Sequence, residues 1–262
     1  VKTPENGSHT EEKMSKLRVL VWDENPPHAP KAIYPNSING AVAEGLKELD
    51  QEGVLEVRTA NLDEAEQGCP ADLLANTDVL MWWGHARHGE VKDELAEQIA
   101  QRVQQEGMGF IALHSAHYSK PFRAVLNCTG HLKGGWREQE PPEDEHIRVC
   151  APWHPIAKGV EDFVLNGEEM YGAPFDVPPP LVVILQSYFP LGGETFPSGL
   201  CWTVGKGIDP NFTSGPGGGV GQGEGIGRVF YFRPGHETMP TYFHPTVRRI
   251  LYNAVLWAGK RV

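Results

Sequence analysis

Six of the eleven histidines in this 262-residue chain, His28, His85, His88, His114, His117 and His236, stand just after apolar runs, where a buried strand would end. Their settings are Glu24 to His28 (ENPPH), Trp82 to His88 (WWGHARH), Leu113 to His117 (LHSAH) and Arg233 to Glu237 (RPGHE). In an α/β sheet the loops at the carboxyl ends of strands build the site, so these segments can converge on one pocket although they are far apart in sequence. Imidazole moves protons near neutral pH and is the commonest metal ligand. Neutral rings gathered from several loops, with a carboxylate, suit zinc or a similar divalent ion. The expected ligands are His28, His85, His114 and His236, leaving Glu24, His117 or Glu237 for proton transfer or support. A metal-free pocket in which His117 and His236 act as acid and base is the alternative, because no HExxH motif is present.

The run Gly109 to His117 is a strand entering small and polar residues, the layout of a turn that pushes one side chain into a pocket. Ser115 occupies that place, so a hydrolase using Ser115, His236 and Glu237 is a second reading. The GxSxG glycines are missing, and a serine there also suits a helix cap. Trp83 and Tyr118, each beside a histidine, are the first candidates for substrate contact.

Positioning these loops requires alternating strands and helices. Leu17 to Trp22, Val54 to Val57, Asp78 to Trp83 and Gly109 to Leu113 read as short buried strands. Between them, Ile38, Val42, Leu46 and Leu49 keep helical spacing, as does the charged amphipathic stretch Val91 to Glu106, closed by Gly107. A helix follows Ser119. The segment 131–180 is irregular and reads as loops and short antiparallel strands that elaborate the sheet. Leu181 to Gln186, Leu200 to Val204 and Arg228 to Phe232 read as further strands. The last helix opens on Pro245 and buries Val247, Ile250, Leu251, Ala254 and Val255. This order predicts an α/β fold with a flavodoxin-like, doubly wound, mostly parallel sheet in a single domain over 17–262.

Residues 1–16 are polar and read as a disordered leader. The glycine-rich stretch at about 205–227 reads as a mobile loop, and its spacing is not GxGxxG, so no nucleotide is expected. The net charge of −11 and the lack of a basic cluster argue against nucleic acid. No apolar run approaches membrane-spanning length, so a soluble protein is expected, and the unpaired cysteine spacing favours a reducing, cytoplasmic compartment. Cys69, Cys128, Cys150 and Cys201 form no CxxC pair and read as reduced core thiols. A homo-oligomer is left open.

The motifs together resemble the ThuA-like family, named for trehalose utilisation. They are Trp82 to His85 with His88 and Glu90-Val91, Leu113 to His117 with Ser119-Lys120, His154-Pro155-Ile156, Glu168 to Gly172, and Phe230 to Glu237 with Pro240 to Tyr242 and His244-Pro245. The resemblance implies the three-layer sandwich of class I glutamine amidotransferases, a fold that places a cysteine at the elbow and a His-Glu pair after a later strand. Here His236-Glu237 is kept, but no cysteine stands near Ser115, so a glutaminase is not expected. Lys120, Tyr171, Arg233 and Tyr242 join Trp83 and Tyr118 as substrate-binding candidates. The family further implies a sugar-derived substrate, such as a keto-glycoside made by a partner oxidoreductase, on which metal-assisted proton transfer would drive isomerisation or elimination. A non-catalytic sugar-binding module, or a partner of the oxidoreductase, is the competing role.

Overall fold

The structure, a computed structural model, describes residues 15–205 and 226–262. Most of the expected leader and of the glycine-rich loop therefore lies outside the described residues. The first half alternates as the spacing predicts: β1 (Leu17–Asp23), α1 (Ser37–Leu49), β2 (Leu55–Asn61), a short α2 (Ala71–Ala75), β3 (Val79–Trp83), α3 (Asp93–Glu106), β4 (Gly109–Leu113) and α4 (Lys120–Leu126). The second half holds β5 (Trp136–Arg137), β6 (Glu143–Val149), β7 (Phe163–Glu168), β8 (Met170–Tyr171), β9 (Val182–Phe189), β10 (Glu194–Gly205), β11 (Ile226–Phe232) and α5 (Pro245–Ala258).

Nine strands form one sheet in the order β2-β1-β3-β4-β11-β10-β9-β6-β7, and β5 pairs with β8 in a separate ribbon. From β2 to β11 every pairing is parallel, in the flavodoxin-like order. From β11 to β7 every pairing is antiparallel. The irregular segment thus extends the same sheet at one edge, as loops and short antiparallel strands. β10 is longer than the sequence suggests, because Pro197 and Gly199 read as breakers but sit at irregularities in the register with β9.

The inner strands β1, β3 and β4 are mostly apolar without alternation because both faces are covered, whereas the edge strand β2 carries Glu56, Arg58 and Thr59. On one face Val19, Val21, Val79, Met81, Ile111, Leu113, Phe230 and Phe232 pack against Ile38 and Val42 of α1 and Val247, Ile250 and Leu251 of α5. On the other, Leu20, Trp22, Leu80, Trp82, Phe110, Ala112 and Val229 pack with Ile99 and Val103 of α3 and Phe122 and Val125 of α4. The result is a three-layer α/β sandwich. α3 starts two residues later than its apolar pattern suggests, since Val91 and Lys92 are extended. It ends where Gly107 takes a left-handed φ of 77°, a conformation glycine adopts without a Cβ clash. Of the four cysteines only Cys69 and Cys201 are buried; Cys128 is half-buried and Cys150 exposed, so the expectation of four core thiols is corrected, and all four are unpaired. No helix among the described residues is long and apolar enough to cross a membrane.

Ile111 lies on β4, an inner strand of the parallel half, with no exposed surface. Its truncation to alanine is expected to lower stability by about 2–5 kcal/mol, read from urea unfolding, because the packed neighbours on α5 cannot fill the gap.

Candidate functional site

Strands β1, β3, β4 and β11 lie side by side or one removed and run the same way, so their carboxyl ends open on one edge of the sheet. Neighbouring strands are about 4.8 Å apart. The loops after them must meet. His85 follows β3 by one glycine, His114 follows β4 directly, and His236 and Glu237 come from the loop after β11. The rings lie 5.4 Å (His85 to His114), 4.9 Å (His85 to His236) and 5.4 Å (His114 to His236) apart between centroids. One ligand atom from each of His85, His114, His236 and Glu237 falls within 4.8 Å of the others.

Each member is held by partners that the sequence does not place beside it. Glu24, just after β1, is buried and uses its carboxylate to accept the backbone N–H of His85 (2.8 Å), Ala86 (2.7 Å) and Arg87 (2.9 Å). Successive amides of one turn thus form an anion nest that fixes the His85 loop. His114 donates from Nδ1 to the carbonyl of Arg233 at 3.1 Å, which leaves Nε2 as a lone-pair acceptor toward the cluster. His236 contacts Thr238 Oγ1 through Nδ1 at 2.8 Å. Gly235 has a φ of 121°, and a Cβ there would collide with the Tyr242 ring, so only glycine serves before His236.

Beneath the cluster lies Arg233, with no exposed surface. It pairs with Glu145 Oε2, lies 3.7 Å from Glu168 Oε2 and donates to the carbonyl of Glu169. Glu168 Oε1 in turn accepts the N–H of Gly235 at 3.0 Å and the hydroxyl of Thr241. These bonds tie β6 and the β7–β8 corner to the loop that carries His236 and Glu237.

The charges within the cluster are complementary. Burial works against ionisation of Glu237, but its hydrogen bond to His85 and the charges of His85 and His236 outweigh that and hold it down at about 2. Burial likewise disfavours a charged His85, yet the 2.7 Å contact with Glu237 and the nearby charges of Glu169 and Glu24 shift it upward. His114 is held well below the usual histidine range by burial, with the charges of His85 and His236 adding to it. His236 is also lowered, chiefly by burial. Glu169 is pushed up to about 7, mainly by burial. Its Oε2 is buried without a hydrogen bond and lies 3.4 Å from His114 Nε2.

The elbow residue is His114. It has a φ of 53° directly after β4, a left-handed conformation that costs a non-glycine residue on the order of 1–3 kcal/mol. Ser115, placed there by its motif, lies one residue on, and its Oγ is 2.5 Å from the phenol of Tyr171 with no hydrogen bond to His236. Among the expected metal ligands, His85, His114 and His236 converge. His28 is half exposed and contacts Glu237 Oε1, so Glu237 takes the fourth place in the group of ligand atoms. His117 is fully buried behind Tyr171, their ring centroids 5.4 Å apart, with Nδ1 on the carbonyl of Gly130 at 2.6 Å.

The expected substrate contacts are mostly interior. Trp83 is buried, donates to the carbonyl of Gly235 at 3.0 Å and stacks on His114 at 6.3 Å. Tyr171, Arg233 and Tyr242 are buried too, and Lys120 bonds the carbonyl of Val91 at 2.6 Å and Asp93 at 2.7 Å, tying α4 to the start of α3. Tyr118 is half-buried, its phenol accepting the N–H of Leu132 at 3.3 Å. Sequence reasoning missed Glu145, Glu168 and Glu169 as parts of the site. Alternation along β6, with Glu143, Glu145 and Ile147 inward, is the signal that could have found Glu145.

The topology and the His/Glu cluster define an α/β sandwich protein with a polar site at the carboxyl edge of its parallel strands. The chain belongs to the ThuA family, described as trehalose utilisation, whose model matches residues 11–258. Among solved structures it is similar to a ThuA-like protein from Parabacteroides merdae, with 13% identity, 94% of this chain and 91% of that chain covered, and a TM-score of 0.62. A second ThuA-like protein, from Bacteroides uniformis, is 17% identical, with 98% and 95% covered and a TM-score of 0.56. These likenesses bear on the fold. No curated protein matches the chain.

Burial holds His117 at about 3 and His88 at about 4, against an ordinary 6.5. Below pH 6.5 the unfolded chain takes up protons that these folded rings refuse, so their effect is to lower stability progressively as pH falls toward 4 and 3. Glu237 acts in the same sense lower down, its stabilisation present above 4.5 and lost as pH falls through about 2. The buried, raised Glu169 acts oppositely, its contribution present below 4.5 and lost as pH rises through about 7. Urea midpoints measured against pH are expected to show a shallower acid slope in His117→Gln than in the unaltered protein.

Proposed function

We propose that this protein is a metal-assisted acid/base enzyme acting on a sugar derivative, with a divalent ion, zinc, held by His85, His114, His236 and Glu237. The observation that carries the reading is the meeting of four potential ligand atoms within 4.8 Å from loops after three different strands. The donor chemistry fits: His114 Nδ1 is already bonded to a carbonyl, as a ligating imidazole requires, and the Glu237 carboxylate is ionised with one buried oxygen unpartnered. Bound there, the ion would polarise a substrate carbonyl. Glu24 and Arg233 hold the ligand loops in place, and the Arg233 carbonyl fixes the His114 ring through Nδ1. Glu169, whose buried Oε2 has no hydrogen bond, is the group placed to take or give a proton beside the cluster.

The family's link to trehalose utilisation supports a sugar-derived substrate. A keto-glycoside supplied by a sugar oxidoreductase suits this chemistry, because hydrogens on carbon beside a ketone are acidic enough for proton abstraction, leading to isomerisation or elimination. A serine hydrolase reading is weaker, since Ser115 Oγ is engaged by Tyr171 and a nucleophilic serine needs a base within hydrogen-bond reach.

Elemental analysis of purified protein is expected to find about one equivalent of zinc or a similar ion, falling to background in His85→Ala and His114→Ala. Binding should weaken as pH falls, because the ligating imidazoles must be neutral. NMR spectra of a keto-glycoside should change with time in the loaded protein and in Ser115→Ala, and stay constant after chelation. Protein that turns over substrate fully with no metal would overturn the metal assignment, and bound but unchanged substrate would make the protein a binding module.

A further inference from the structure

The β5–β8 ribbon lies outside the main sheet, and its Tyr171 reaches the cluster. Trp136 is directly opposite Tyr171 in its antiparallel register. Paired residues in an antiparallel ladder project from the same face. The phenol of Tyr171 lies 3.4 Å from His114 Nε2 and 2.5 Å from Ser115, so that face is the one turned to the histidines. Trp136 is therefore carried on the same side, one strand further out, yet its indole is 63% exposed. Two residues on, Glu138 is exposed, and its charge acts on His236.

An exposed tryptophan on a floppy loop would mean little, but this ribbon is pinned. The adjacent Arg137 bonds Glu143 at 2.7 Å and Glu194 at 2.9 Å, which reach it from β6 and β10. Gly134 and Gly172 exchange backbone contacts so close that a Cβ on either would strike the other strand, with Gly134 N–H on the Gly172 carbonyl at 3.2 Å and Gly172 N–H on the Gly135 carbonyl at 2.8 Å. A flat, apolar ring on a pinned ribbon, with a carboxylate two residues further along whose charge acts on the cluster, suits a sugar ring. A pyranose presents an apolar C–H face to an aromatic ring and hydroxyl donors to a neighbouring carboxylate. The more exposed Trp153 lacks this setting, lying beside His154, whose ring packs on Trp257 of α5.

We propose that Trp136 and Glu138 form a sugar-binding subsite that seats a pyranose ring of the substrate against the His85, His114 and His236 cluster. The inference rests on the sugar-derivative reading given above, and it names the residues that recognise the sugar. Trp136 replaces the buried Trp83 as the stacking platform. Glu138 accepts a hydroxyl hydrogen bond at its rim.

Isothermal titration of the whole protein with trehalose and with methyl α-D-glucopyranoside tests this, alongside Trp136→Ala, Trp136→Phe, Glu138→Gln and the control Trp153→Ala. We expect saturable binding that weakens about tenfold or more in Trp136→Ala and stays within about threefold in Trp136→Phe and Trp153→Ala, as for loss and retention of an aromatic anchor. Because Trp136 is exposed, thermal unfolding of Trp136→Ala should match the unaltered protein, so the loss is one of binding. Unchanged affinity in Trp136→Ala, equal losses in Trp136→Ala and Trp153→Ala, or no binding of either sugar by the unaltered protein would overturn the subsite. Metal content and keto-glycoside turnover are read on the same samples. Trp136-dependent binding without metal or turnover would keep the subsite and remove the acid/base reading; metal and turnover with Trp136→Ala at full kcat/KM would do the reverse.

Discussion

Arg233 is a full charge with no exposed surface, and the arrangement of the site depends on it. A guanidinium taken from water costs several kcal/mol unless carboxylates and carbonyls replace the lost solvent. Glu145 on β6, Glu168 at the end of β7 and the carbonyl of Glu169 do so, from parts of the chain more than sixty residues away. Once these partners are recruited, the antiparallel extension cannot drift from the parallel half. The same contacts orient the neighbours of Arg233 on both sides of the site: Glu168 holds the Gly235 amide, and the Arg233 carbonyl holds His114. One buried ion cluster thereby fixes the loop after β11 and the ring after β4 at once.

Above that base the cluster is electrostatically self-consistent. Three imidazoles packed within about one ring width would repel one another if protonated, and burial already disfavours their charged forms. Glu237 supplies the compensating negative charge: against its burial, the hydrogen bond to His85 depresses it, and that contact raises His85, whereas burial lowers His114. On the proposed reading, a divalent ion would meet the same need with neutral imidazoles. Glu169 stands apart: with no cation bonded to its free oxygen, burial dominates and its carboxyl is raised.

The parallel half was legible because its signals are local. Leu17 to Asp23, Val79 to Trp83 and Gly109 to Leu113 are continuous apolar runs, and a strand buried on both faces needs nothing else. Gly107 and Pro245 punctuate helices by their own backbone limits. The edge extension was less legible. Glu143 and Glu145 look like surface acids and β10 looks broken at Pro197 and Gly199, because what makes them strand residues is pairing with distant partners. The elbow misled for a related reason. Ser115 matches the chemistry of a nucleophile, but φ at His114 is set by the turn between β4 and its packed neighbours, which no motif records.

The sequence by itself determined the alternation that builds the sandwich, the family motifs, and the placement of His85, His114 and His236 at strand ends, since residue spacing and backbone preference act within a few positions. Only the tertiary structure decided which side chains share the site. It brought Glu237 among the rings and left His28 at the margin, buried Trp83, Tyr171 and Tyr242 as supports, set His117 behind Tyr171, and turned Trp136 outward on its ribbon. Those outcomes depend on where solvent is excluded. Exclusion depends on how layers pack across the whole sheet, a property that no stretch of neighbouring residues carries.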